Sequence, residues 1–319
     1  MRSGCASSAL AAACTLLALV FAASSTRAAE QLYRYRDAAG HWQFTDRPPG
    51  AAQNVEVITR DSEGLAPRLL VQRVDEPDGA ALQIRNELHC PAEVIIELVD
   101  RENIAATVAD AMHWVVPALA DERVIVPPAE LRGAMSFRYR YAYVLGDPEA
   151  THEPPEMGYR APFAVARSFT VTQGFHGKAT HASPANEYAV DIAMPVGTGV
   201  YAARDGIVVE IAYSNYARGT DPELDGPRAN IVRILHEDGT FALYAHLDRA
   251  SVRVRPGDRV RRGQYIADSG NTGFTTGPHL HFAVLRNRGF ELVSLPFHFG
   301  GPQGTTVQPV QGETLTAWP

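Results

Sequence analysis

Cysteine is nearly absent from the 319 residues: Cys5, Cys14 and Cys90 are the full set. Two of the three fall in an amino-terminal stretch that reads as a leader. Only Cys90 is then left for the mature chain, so no intrachain disulfide can form and a closed structural metal site built on thiolates is excluded. Cys90 itself reads as a small buried apolar side chain, because free cysteine is among the most buried residue types and His89 would point to the opposite face of a strand. Basic charge is also short, with 29 Lys and Arg against 36 Asp and Glu and a formal net charge of −7. A generic electrostatic hold on nucleic acid is therefore not expected. Neither a Gly-x-Ser-x-Gly elbow nor a His-Glu-x-x-His pair occurs, which removes two familiar hydrolase designs.

Long apolar runs are missing too, except for one from Ala9 to Ala23, behind Arg2 and ahead of Ser24-Ser25-Thr26-Arg27-Ala28. That order of charge, apolar block and small residues is the order of a secretory signal peptide. Cleavage is expected after Ala28, and removal of residues 1–28 takes two arginines and no acid, leaving a net charge of about −9. The run is shorter than the roughly 20 residues that a spanning helix needs, and no later stretch is long enough. Cys14 precedes most of the apolar block, which argues against lipidation. The expectation is an exported protein of the periplasm or cell envelope, with no membrane span after signal removal.

What is present is β-strand signal. Leu32-Tyr33-Arg34-Tyr35-Arg36 and Trp42-Gln43-Phe44-Thr45 alternate aromatic and polar residues around Asp37-Ala38-Ala39-Gly40, which predicts a β-hairpin in a small domain over residues 29–62. Residues 66–150 hold several short apolar runs separated by Pro and Asp/Gly clusters. In the last of these Phe137, Tyr139, Tyr141 and Tyr143 share one face and Arg138 and Arg140 the other. The spacing predicts an immunoglobulin-like β-sandwich, with the aromatic row as a core face. Residues 163–295 continue in the same manner with many glycines, and Glu237-Asp238-Gly239 marks a hairpin turn. The fold class expected is therefore all-β. Residues 296–319, rich in Gly, Pro, Gln and Thr, read as a loosely ordered tail.

Three pieces carry chemistry: His181 with Asp191, then Tyr244-Ala245-His246-Leu247, then Gly277-Pro278-His279-Leu280-His281-Phe282. In a strand His279 and His281 project from one face roughly 6.5 Å apart, since each residue rises about 3.3 Å. Asp191 lies between Val190 and Ile192, where a carboxylate is costly unless paired or coordinated. Two imidazoles and one carboxylate suit zinc with a fourth position open, an arrangement that points to catalysis. His41, His89, His113, His152 and His298 read as ordinary core or surface histidines, whereas His176 competes with His181 as a ligand.

These residues resemble the lysostaphin-type, or LytM-like, peptidoglycan endopeptidases over roughly residues 165 to 290. The resemblance rests on Tyr188-Ala189-Val190-Asp191-Ile192-Ala193, Pro195-Val196-Gly197-Thr198, Ala203-Arg204-Asp205-Gly206, Gly270-Asn271-Thr272-Gly273 and His279-Leu280-His281. It implies an antiparallel β domain of duplicated hybrid motif, a zinc ion held by His181, Asp191 and His281, and His246 and His279 flanking the attacking water and the scissile carbonyl. It departs from the pattern twice. Many relatives carry the first histidine four residues before the aspartate, where Glu187 stands here, and many carry glutamate where Ala283 stands. The hairpin segment in turn resembles a small amino-terminal domain of unknown function found in proteobacterial envelope proteins.

The resemblance implies hydrolysis of peptide cross-links in peptidoglycan, with stem peptides as partners and an envelope protein as a further partner through the middle domain. Residues 215–230 are expected to line the substrate groove as an inserted loop. Two other readings compete. One is a catalytically inactive relative that binds peptidoglycan or activates an amidase, which the full ligand set disfavours. The other is a phosphocarrier of sugar transport, which the export signal disfavours.

Overall fold

The computed structural model describes the strands within residues 30–60 and all of residues 68–319. The expected signal peptide, residues 1–28, and His41 lie outside the described residues. The chain divides into two compact units, residues 1–64 and 65–319.

In the first unit β1 (Glu30–Arg36) pairs antiparallel with β2 (Trp42–Thr45) in the register Tyr33↔Thr45. That is the hairpin the alternating aromatics predict. β3 (Glu56–Arg60) pairs along the other edge of β1.

The second unit opens with six strands in two antiparallel sheets. One sheet contains β4 (Leu69–Glu76), β5 (Gly79–Asn86) and β8 (Asp121–Val126). The other contains β6 (Ala92–Glu102), β7 (Ala111–Val116) and β9 (Ser136–Leu145). Leu82 and Ile84 of β5 and Val94 and Ile96 of β6 alternate inward into one core. Phe137, Tyr139, Tyr141 and Tyr143 all face that core, and the Tyr139 hydroxyl donates to the Val71 carbonyl at 3.0 Å. The aromatic row is thus spent on packing. Arg138 and Arg140 pair with Asp100 and Glu97 on the outer face.

A nine-stranded sheet forms the rest. Its strands are β10 (Ser168–Gln173), β11 (Val190–Ile192), β13 (Gly206–Ala212), β15 (Ile231–Leu235), β16 (Phe241–Ala245), β17 (Arg259–Val260), β20 (Leu280–Asn287), β21 (Leu292–Ser294) and β24 (Thr314–Thr316). Two small pairs flank it: β12 (Gly199–Tyr201) with β18 (Tyr265–Asp268), and β14 (Arg218–Gly219) with β19 (Gly273–Phe274). Both faces of the main sheet are buried. Val190, Ile192, Tyr244, Leu280, Phe282 and Val284 enter a core with Tyr159, Phe163, Phe297 and Phe299. On the other face Ala189, Val209, Phe241, Ala283 and Leu285 join the core of the sandwich.

The sandwich and the strands of residues 163–295 share that second core, so they are not separate bodies. At the seam Glu93, 1% exposed, accepts from Asn287 Nδ2 and from the Phe290 N–H, both at 2.7 Å, and sits 2.7 Å from His113 Nε2. The tail, residues 296–319, is not loose either. β22 (Phe299–Gly300) pairs with β23 (Thr306–Val307), β24 pairs with β10, and Phe297, Phe299, Leu315 and Ala317 are buried. Overall Gly and Pro content hid a few apolar residues placed at the positions that pack. Within the described residues no helix is long and apolar enough to cross a membrane.

Candidate metal centre

The site grows out of strand register. Gln173 pairs with Asp191, Asp191 with His281, and His281 with Ala245, so one row crosses four adjacent strands from β10 to β16. Period-2 alternation puts Asp191 on the face of Ala189, and His281 on the face of Ala283. The site therefore occupies the uncovered end of the sheet face that the sandwich packs against. His181 arrives from outside the sheet, on the turn-rich loop between β10 and β11. Its Nδ1 lies 2.9 Å from the Gly174 carbonyl, so Nδ1 carries the proton and Nε2 the lone pair.

His181 Nε2 lies 3.4 Å from Asp191 Oδ1, and His281 Nδ1 lies 2.9 Å from the same oxygen. Ligand atoms of the three residues fall within 4.8 Å of one another, the only such metal-capable group among the described residues. His181 is 2% exposed and its Nε2 has no hydrogen-bond partner, while Asp191 is 8% exposed. A buried lone pair without a donor, aimed at a carboxylate and a second imidazole, is a cavity a cation satisfies. The donor set of two nitrogens and one oxygen fits zinc.

His246 and His279 complete the cluster, their rings 4.5 Å apart and His279 Nε2 3.7 Å from Asp191 Oδ1. Each is tied back through Nδ1. His246 donates to the Thr272 carbonyl at 2.8 Å and His279 to the Gly277 carbonyl at 2.8 Å. Both therefore present Nε2 to the site. His246 also sits at φ 61°, a strained conformation for a residue with a Cβ.

Electrostatics follow from this crowding. Burial pushes the Asp191 carboxyl up, but the imidazoles of His181, His281 and His279 outweigh it and hold the group well below the usual carboxylate range. Burial lowers the His181 pKa, yet Asp191 raises it further, to a net value above the ordinary one. Burial, aided by the neighbouring His279 and His281, pushes the His246 pKa down to about 3.

Two residues that sequence reasoning left open now have places. His176 stands apart at φ 55°, 3.3 Å from Glu187, so the histidine that reaches Asp191 is His181. Ala283 is fully buried in the core shared with the sandwich, where a glutamate carboxylate would be desolvated. One contributor had no sequence signal. Gln173, 6% exposed, donates to Asp191 Oδ2 at 3.1 Å and accepts from the N–H groups of Ala179 and Thr180 at 3.1 and 3.3 Å. It thereby ties the His181 loop to the carboxylate.

An open centre of two imidazoles and one carboxylate, flanked by two further imidazoles on a β scaffold, is the design of a metallopeptidase. Residues 185–291 match Peptidase family M23, and the chain carries a domain of that family. His181 lies just before the matched segment and enters the site through the loop geometry alone. Residues 6–67 match a domain of unknown function, DUF4124. Among curated relatives, the glycyl-glycine endopeptidase ALE-1 of Staphylococcus capitis is 42% identical over 103 residues, 32% of this chain and 25% of that protein. The peptidoglycan DD-endopeptidase ShyA of Vibrio cholerae is 41% identical over 95 residues, 30% of this chain and 19% of that protein. A solved catalytic domain of lysostaphin from Staphylococcus simulans aligns with a TM-score of 0.27 at 31% identity, covering 38% of this chain and 80% of that one. The chain thus spans a quarter or less of the length of these two curated relatives.

Proposed function

We propose that the chain is an exported zinc-dependent endopeptidase that hydrolyses peptide cross-links of peptidoglycan. The observation that carries this reading is the convergence of His181, Asp191 and His281 on one point, with the Nε2 edges of His246 and His279 turned toward it. His181 Nε2, the Asp191 carboxylate and His281 Nδ1 would hold the metal. Bound zinc supplies a Lewis acid that polarises the peptide carbonyl and acidifies water near neutral pH.

The remaining work belongs to the protein. His246 and His279 each present an Nε2 lone pair, so either can accept the proton of the attacking water and, once protonated, hand that same proton to the leaving amine. Their Nδ1–H bonds to backbone carbonyls keep Nε2, the working nitrogen, aimed at the substrate. The names of ALE-1 and ShyA, both peptidoglycan or glycyl-glycine endopeptidases, support the wall peptide as substrate.

The test is digestion of intact sacculi by the purified chain, with mass analysis of the products and zinc measured on the same sample. Stoichiometric zinc and new termini at cross-links are expected, with both lost in His281→Ala. His279→Ala should keep zinc and lose turnover by about 10²-fold or more. A protein that binds sacculi without zinc and without cleavage would instead be a wall-binding regulator.

A further inference from the structure

The insertion between β13 and β15 is stapled shut at its neck. Asn215 N–H donates to Asn230 Oδ1 at 3.0 Å, and Asn230 Nδ2 donates to the Asn215 carbonyl at 2.9 Å, with Asn230 fully buried. Beyond the neck β14 runs parallel to β19. Gly273 N–H reaches the Ala217 carbonyl at 2.8 Å and Thr275 N–H the Gly219 carbonyl at 2.9 Å. Gly273 has φ 81°, and a Cβ there would lie 2.6 Å from Ala229. Insertion and residues 271–277 are therefore packed as one piece.

That piece is the one both catalytic candidates lean on, through the Thr272 and Gly277 carbonyls. Arg218 adds a side-chain link. With the Asn271 amide turned to the orientation that satisfies all of its neighbours, its oxygen accepts from the Arg218 guanidinium, and its nitrogen donates to the Gly277 carbonyl at 3.0 Å and to the Thr275 hydroxyl at 2.9 Å. Thr275 Oγ1 also donates to the Gly277 carbonyl at 2.8 Å and lies 3.4 Å from His279 Nδ1. A charged donor on the oxygen of an amide strengthens the N–H bonds that amide makes in turn.

We propose that Arg218 is a positioning residue for His279, acting through Asn271 and the Gly277 carbonyl, and that the insertion braces the two flanking histidines. The inference rests on the function proposed above. The brace fixes the carbonyl that receives the His279 Nδ1–H, and so fixes the tautomer that leaves Nε2 free. Because Arg218 itself is exposed, its replacement leaves the core intact.

The experiment uses the full chain. Nitrogen-15 NMR of the metal-free protein should show His279 in the Nδ1–H form, and Arg218→Ala should show mixed tautomers. On cross-linked muropeptides, Arg218→Ala should lower kcat by about tenfold or more with KM and zinc content held. Arg218→Lys should recover part of the loss, and Asn271→Ala should reproduce it. In a His279→Ala background, Arg218→Ala should cost nothing further. An unchanged tautomer, or an equal loss in both backgrounds, overturns the inference. A His279→Ala protein with wild-type turnover sinks the proposed catalytic role instead, and the tautomer measurement still decides Arg218.

Discussion

Asp191 and His281 face each other across the β11–β20 ladder, and this register sets Asp191 Oδ1 2.9 Å from His281 Nδ1. A slip of one residue in either strand would turn its whole side-chain set to the other face. The same row continues to Gln173 on one side and Ala245 on the other, and His246 follows Ala245 directly. Asp191 and His281 are thus placed by sheet pairing, and His181 is delivered by a loop.

Gln173 is the test of how that loop is held. Replacing it by Leu removes the donor to Asp191 Oδ2 and the acceptor for two loop N–H groups. Metal affinity should fall by roughly 10- to 100-fold, the usual range for loss of a group that orients a ligand. Chelator competition measures it directly. Unchanged affinity would mean that the His181 loop needs no such tether.

The seam between sandwich and peptidase domain makes a stability prediction. Glu93→Leu leaves the Asn287 amide and the Phe290 N–H without their buried acceptor. A loss of roughly 2 to 4 kcal/mol is expected, read as a lower urea midpoint for one transition that reports both halves together. Two separated transitions in the wild-type chain would contradict the shared core.

Much of this arrangement was legible beforehand, for physical reasons that differ by residue. Asp191 between Val190 and Ile192, and His279 two residues from His281, announce themselves because strand alternation is a local rule. The Glu237-Asp238-Gly239 turn is local as well, and it joins β15 to β16 as expected. Gln173 was not legible, because its role comes from pairing with a strand 18 residues further on. The backbone carbonyls of Thr272 and Gly277 carry no side-chain signature at all. A signal that could have been used is the Phe282-Ala283-Val284-Leu285 run, apolar on both faces, which marks a strand covered on both sides. It marks the strand on which the core of the sandwich meets that of the main sheet.

The ordered carboxyl-terminal segment yields a further prediction. Leu315 is 3% exposed and pairs with Phe169 on β10, the strand that ends at Gln173. Leu315→Ala should cost about 2 to 4 kcal/mol through lost burial and the cavity left behind. Thermal unfolding of the variant checks it, and an unshifted midpoint would return the segment to the status of a dispensable tail.

His236 gives the chain a built-in sensitivity to acid away from the metal centre. It is 2% exposed, its Nδ1 donates to the Asp205 carbonyl at 2.7 Å, and its Nε2 has no hydrogen-bond partner. Burial, aided by the Arg204 guanidinium and opposed by Asp238 and Asp205, pushes its pKa down to about 4. In the unfolded chain the value returns to near 6.5. Between those two values the unfolded chain binds a proton that the native chain does not, so stability falls as pH falls. Above about 6.5 neither state is protonated and the contribution is flat. The loss across the window is on the order of 3 kcal/mol. Urea unfolding of the wild type and of His236→Leu at several pH values from 7.5 to 4 isolates this contribution from that of other acid-titrating groups. The two stability curves should converge by that amount as pH drops, and parallel curves would show that His236 is protonated in the folded protein as readily as in the unfolded one.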